Sequence, residues 1–259
     1  MTPRGALRVI ASGWWFHLRN LSQSSFFIMT SVLQPVIFAS IAFFMFHSGK
    51  AQVSLTYAAL GAGMMGIWSA TLFGAGGAIS YQRWTGTLEM LVVAPAPMPL
   101  VLLGITLATA TTGLYSLVAT LAWGAVLFGV PLHFASPLLF VVSAAVTVLT
   151  LGLMGMVMAA SFVMYRNANA LSNLLEYPIW LVTGLLVPLA LLPGWSHPLA
   201  WVLAPTWGIQ AVRAASLGGD VGFPLLMSGI LGVVYLGVGI VLLRVFERMA
   251  RASATLGLA

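Results

Sequence analysis

The sequence predicts an all-α integral membrane protein: six transmembrane helices, an N-terminal interfacial helix, and a re-entrant extracellular hairpin between spans 5 and 6. Three observations predict it. Charge is scarce, with ten Lys or Arg and four Asp or Glu among 259 residues. That is 5%, where soluble globular chains carry about 25%. Hydrophobic residues make up 61%, and the mean hydropathy is +1.05. A soluble protein cannot cover its surface with so few charges, whereas a bilayer requires an apolar exterior. Finally, the few basic residues sort to one side of the apolar runs.

Taken in chain order, residues 4–22 form the interfacial helix. Leu7, Ile10, Trp14, Leu18 and Leu21 recur at helical spacing and make one apolar stripe, with Arg4, Arg8, Ser12 and Arg19 off it. A basic face opposite Trp and Leu suits the headgroup layer. The N-terminus lacks the compact apolar region and small-residue cleavage site of a signal peptide, so the mature protein is expected to start near Met1.

A spanning helix needs about 20 apolar residues. Such runs occupy 26–46, 55–79, 100–128, 137–163 and 224–244. The second carries a ladder of small residues, Ala58, Ala62, Gly66, Ala70, Gly74 and Ala78, which lets another helix approach closely. Whether that helix belongs to this chain or to a second subunit is open at this point.

The stretch 174–217 is apolar but interrupted by Pro178, Pro188, Pro193, Pro198 and Pro205. Proline removes a backbone donor and clashes with the preceding turn, so one helix cannot run through it. The reading is a fifth span over 174–192 and a hairpin over 195–217 that enters from the outer face, its turn near Trp207–Gly208. Irregular backbone at membrane depth must be surrounded by protein or water.

Six spans with a cytoplasmic N-terminus place Arg4, Arg8, Arg19, Arg83, Arg166, Arg244, Arg248 and Arg251 inside, and only Lys50 and Arg213 outside. Basic residues favour the cytoplasmic side, so both termini are expected there. With no soluble domain and no internal repeat, residues 1–259 read as one membrane domain.

Several activities have no residues to carry them. Lys50, the only lysine, stands in no phosphate-binding loop, so this chain cannot hydrolyse ATP by that route. Cysteine is absent. His17, His47, His133 and His197 lie far apart, so no metal is expected. The basic residues are scattered singly, without the patch that nucleic acid requires. Among the acids, Asp220 and Glu247 are expected to be solvated, and Glu176 to be an interfacial anchor more than a transport residue.

The informative segment is 80–99, expected to be cytoplasmic. Arg83, Trp84, Thr85, Gly86, Thr87, Leu88, Glu89, Met90 and Leu91, followed by Ala94 and Pro95, resemble the R-x-x-G-T-L-E-x-L signature of ABC-2 type export permeases. The run Pro193-Gly194-Trp195, then Pro205-Thr206-Trp207, resembles that family's extracellular hairpin. The resemblance covers nearly the whole chain. It implies that 80–99 is the coupling segment, with Arg83, Trp84, Gly86, Thr87, Leu88 and Glu89 docking on an ATPase subunit. It implies a transporter subunit rather than an enzyme. Two permease subunits, identical or homologous, would form the pathway, and two ATPase subunits would bind ATP and Mg. This chain would hold no cofactor itself. The compact drug-resistance branch of the family implies an amphipathic drug or antibiotic as cargo, and a bacterial inner membrane as location. The alternatives are a polysaccharide or lipid-linked glycan exporter, a stand-alone secondary transporter, and a membrane-bound lipid enzyme. In one respect the sequence departs from the pattern: Tyr81, Gln82 and Trp84 stand where relatives often carry acids, so a less charged docking contact is expected.

Overall fold

The computed structural model of the protein describes residues 2–48, 55–84, 86, 90, 96–162 and 168–253. Its helices are α1 (Pro3–Gln23), α2 (Ser25–Ser48), α3 (Leu55–Gly76), α4 (Ala78–Trp84), α5 (Met98–Thr112), α6 (Leu114–Phe128), α7 (Pro137–Phe162), α8 (Ala168–Val182), α9 (His197–Trp201), α10 (Ala204–Leu217) and α11 (Gly222–Ser253). No strand occurs among the described residues. Five helical stretches are long and apolar enough to cross a membrane: Phe27–Phe44, Leu55–Gly76, Met98–Phe128, Pro137–Phe162 and Gly222–Phe246. These correspond to the five uninterrupted runs read from the sequence. The chain is a multi-pass membrane protein.

The most buried of these, α3, sits at the centre and packs against α2, α5, α6, α7, α8 and α10. Its small residues permit this. A Cβ on Gly66 would stand 2.8 Å from Pro35 Cγ of α2 and would overlap Ser116 of α6, and one on Gly74 would meet Thr109 of α5. At those two positions the ladder's partners lie within this chain. The third apolar run is two helices, α5 and α6, joined at Gly113, where a Cβ would stand 2.6 Å from Ile67 Cα.

Pro35 lies inside α2 and leaves the carbonyl of Ser31, four residues earlier, without its helical donor. Ser116 Oγ donates to that carbonyl. The proline is therefore tolerated because a neighbouring helix supplies the missing bond.

α1 begins with Thr2 as its cap, whose Oγ1 accepts from the Gly5 N–H at 3.3 Å. The apolar stripe behaves differently from the expectation. Ile10, Trp14, Leu18 and Leu21 are half-buried, and α1 packs against α5. Gly13 and Gly104 bring the two backbones together, and the Trp14 Nε1–H donates to Thr111 Oγ1 at 3.0 Å. Burial pushes the pKa of His17 below its usual value. The surface left for other contacts carries Arg4, Arg8, Leu7, Trp15 and Phe16, all exposed.

The expected span over 174–192 is corrected in its bounds. The described part of α8 has 15 residues and ends at Val182, reaching about 22 Å at about 1.5 Å per residue. Gly184 then turns the chain with φ +81°, and short 3₁₀ turns follow at Leu189–Leu191 and Gly194–Ser196. The region 195–217 is helix–turn–helix, but its turn falls at Val202–Leu203, between α9 and α10. Trp207 and Gly208 lie inside α10, because Pro205 can occupy a first helical turn without losing a needed donor.

Candidate functional site

The residues singled out from the sequence belong to two segments, 80–99 and the hairpin. Arg83 and Trp84 close α4. Gly86 is exposed with φ +71°, and nothing lies within 4 Å of where its Cβ would be. Thr87, Leu88 and Glu89 fall outside the described residues, as do Thr85 and residues 91–95. In the hairpin, Pro193 precedes the 3₁₀ turn that holds Trp195, which is 69% exposed. Trp207 is 3% exposed. Its indole N–H donates to the Trp201 carbonyl at 2.9 Å, and its ring meets those of Trp201 and Phe223 edge-on. The last span is tied in as well, since the Tyr235 hydroxyl donates to the Val202 carbonyl. One tryptophan thus faces out and the other anchors the hairpin.

Two buried charges were not legible as such. Arg213, read from the sequence as an outer-side basic residue, is buried in the packed body. Its Nη1 donates to the Gly184 carbonyl at 2.7 Å, and its Nη2 to those of Leu185 at 2.9 Å and Tyr57 at 3.3 Å. The guanidinium also lies 3.3 Å from the centre of the Tyr57 ring. It joins α10, the end of α8 and the start of α3. Gly61 leaves room for this, since a Cβ there would stand 2.8 Å from Arg213 Nη2 and would overlap the Leu185 carbonyl. The available signal was an arginine inside an apolar stretch, on the side where basic residues are rare.

Glu176, expected at the interface, is 2% exposed. Ser69 Oγ of α3 donates to its Oε1 at 2.5 Å. Ser69 also lines a cleft of about 330 Å³ bounded by α2, α3, α6 and α8. Phe27, Ser31, Gln34 and Phe38 supply the α2 wall, one face at helical spacing. Met65, Ser69 and Phe73 line it from α3, Ser116 from α6, and Trp180 from α8. Phe38 and Trp180 meet edge-on with ring centres 5.1 Å apart. The lining is largely apolar and aromatic with a few hydroxyl and amide groups, the usual make-up of a small-molecule site. The amphipathic spacing on α2 could have pointed to it, but the opposing helix faces could not be assigned from sequence.

A comparison with curated proteins finds no match. The family model described as "ABC-2 type transporter" matches residues 9–217, from within α1 to the end of α10. Permeases of this family normally work with an ABC ATPase and form dimers. With most of its length matched, this chain belongs to the ABC-2 type transporter family and is a permease component of an ABC-type transporter.

Proposed function

We propose that this chain is the cargo-conducting subunit of an ATP-driven exporter in a bacterial inner membrane. Two such subunits form the pathway, and separate ATPase subunits, carrying ATP and Mg, dock on segment 80–99. Residues 1–259 act as one membrane domain with six spans, α8 and the irregular chain after it serving as the fifth. Residues 4–22 lie at the headgroup layer, and 195–217 form an outer hairpin that does not cross.

The observation that carries the reading is the cleft between α2, α3, α6 and α8, in a chain that has no phosphate-binding loop of its own. With a cytoplasmic N-terminus, most of its α2 and α3 walls, Phe27–Pro35 and Gly66–Phe73, falls in the cytoplasmic half of their spans. A cargo entering from the cytoplasm or the inner leaflet would meet them first. The apolar lining favours an amphipathic drug or antibiotic over a polysaccharide, which would need a polar wall.

Orientation is tested by labelling single cysteines in intact cells and in inverted vesicles. Ser80→Cys, Asn167→Cys and Ser253→Cys are expected to react only from the cytoplasmic side, and Ser48→Cys and Gly219→Cys only from outside. Outside labelling of Ser253→Cys would overturn the even-span topology. Partnership is tested by purifying the tagged chain from its native membrane. An ABC ATPase subunit should co-purify, and its absence would remove the docking assignment.

A further inference from the structure

We infer that the cleft between α2, α3, α6 and α8 takes a lipophilic cation, an aromatic or apolar body bearing one positive charge, with Glu176 as its counter-ion. This deepens the exporter reading and rests on it for the claim that the bound molecule is cargo.

An acidic side chain inside membrane helices is expensive and needs a partner. Of the other acids, Asp220 stands in the turn before α11 and Glu247 beyond the apolar window of α11, while Glu89 falls outside the described residues. Among the described acids, Glu176 alone stands within the packed helices around the cleft. Its donor there is a neutral hydroxyl, Ser69 Oγ. The other buried charge, Arg213, is engaged elsewhere, its Nη donors going to the carbonyls of Gly184, Leu185 and Tyr57.

Ser69 is shared between the carboxylate and the cleft wall. The carboxylate itself does not line the cleft; it stands one hydrogen bond behind a hydroxyl that does. Trp180 follows Glu176 by four residues on α8, which puts both on one helix face. Trp180 lines the cleft together with Phe27, Phe38 and Phe73. Aromatic faces attract cations electrostatically, and more strongly once water is excluded. Trp180 brings a second polar feature: its Nε1–H is buried without a partner among the described residues. A carboxylate behind a hydroxyl, with aromatic rings around an apolar space of about 330 Å³, is complementary to a bulky monocation. It is not complementary to an anion or to a sugar chain.

The test uses two ions of the same shape and opposite charge, tetraphenylphosphonium and tetraphenylborate. Equilibrium binding to the purified full chain is measured in detergent. Wild type is expected to bind the phosphonium saturably and at least tenfold more tightly than the borate. Glu176→Gln should weaken phosphonium binding tenfold or more and abolish the preference, while Glu176→Asp should retain it. Equal affinities for the two ions, no saturable phosphonium binding, or unchanged binding in Glu176→Gln would overturn the assignment. If Glu176→Gln does not fold, the wild-type ratio decides alone. The exporter reading fails separately: selective binding without ATP-driven transport by any complex would refute that reading and leave the site standing. ATP-driven transport without charge preference would do the reverse.

Discussion

Arg213→Ala is expected to lower the unfolding free energy by about 2–4 kcal/mol, read from thermal or denaturant unfolding of the purified chain. The side chain makes three hydrogen bonds to carbonyls and covers the Tyr57 ring. Hydrogen bonds from charged donors contribute about 1.5–3 kcal/mol each in water-soluble proteins. Polar contacts in membranes average nearer 0.6 kcal/mol, because the unfolded segments find other partners there. Three such bonds and the ring contact place the sum between those limits. Arg213→Lys should not rescue it. A single ammonium cannot span the same carbonyls in a planar fork, nor lie flat on the ring. Gly61→Val should give a loss of the same sign, since a side chain there displaces the guanidinium and the Leu185 carbonyl. A loss below about 0.5 kcal/mol in Arg213→Ala would show that the arginine is a bystander.

The second large effect is functional. Arg83→Ala and Glu89→Ala are expected to weaken association with the ATPase, or to uncouple hydrolysis from transport, while the chain still inserts and folds. A charged contact at a rim contributes about 0–1 kcal/mol, and more when desolvated. About 1 kcal/mol corresponds to roughly a fivefold loss of affinity. The aromatic and amide neighbours Trp84, Tyr81 and Gln82 leave few other charges to compensate. Gly86 acts through the backbone. Its φ of +71° is costly for a side-chain-bearing residue, while the space around it is open. Gly86→Ala should therefore cost about 1 kcal/mol through conformation rather than crowding. Wild-type ATPase affinity and wild-type transport in both Arg83→Ala and Glu89→Ala would sink the coupling assignment.

What could be read from the chain follows from what each signal measures. The five long spans were legible because an apolar window of about 20 residues has few other uses. The bounds of α8 were not, because the prolines after Val182 say that a helix stops without saying where the chain turns. The hairpin turn was misplaced for a related reason. Trp207–Gly208 looks like a turn, but Pro205 belongs to the first turn of α10. The stripe on α1 showed correctly that one face is apolar. It could not tell whether lipid or protein covers that face, and α5 covers much of it. Arg213 was read as an outer-side charge and Glu176 as an interfacial anchor, and the burial of both was missed because burial of a charge depends on partners from distant segments. Those partners are backbone carbonyls at Tyr57, Gly184 and Leu185 for the arginine, and Ser69 for the glutamate. The cleft likewise needs faces of four helices and has no local signature.

The most direct test of the central claim, that this chain conducts while a partner hydrolyses, is one measurement in proteoliposomes. ATP hydrolysis and movement of an amphipathic dye are followed together, with the chain alone and with its ATPase subunit. Neither activity is expected for the chain alone, and both, dependent on ATP and Mg, are expected for the complex. ATP hydrolysis by the pure chain, or dye movement by it driven by a proton gradient without any ATPase, would contradict it.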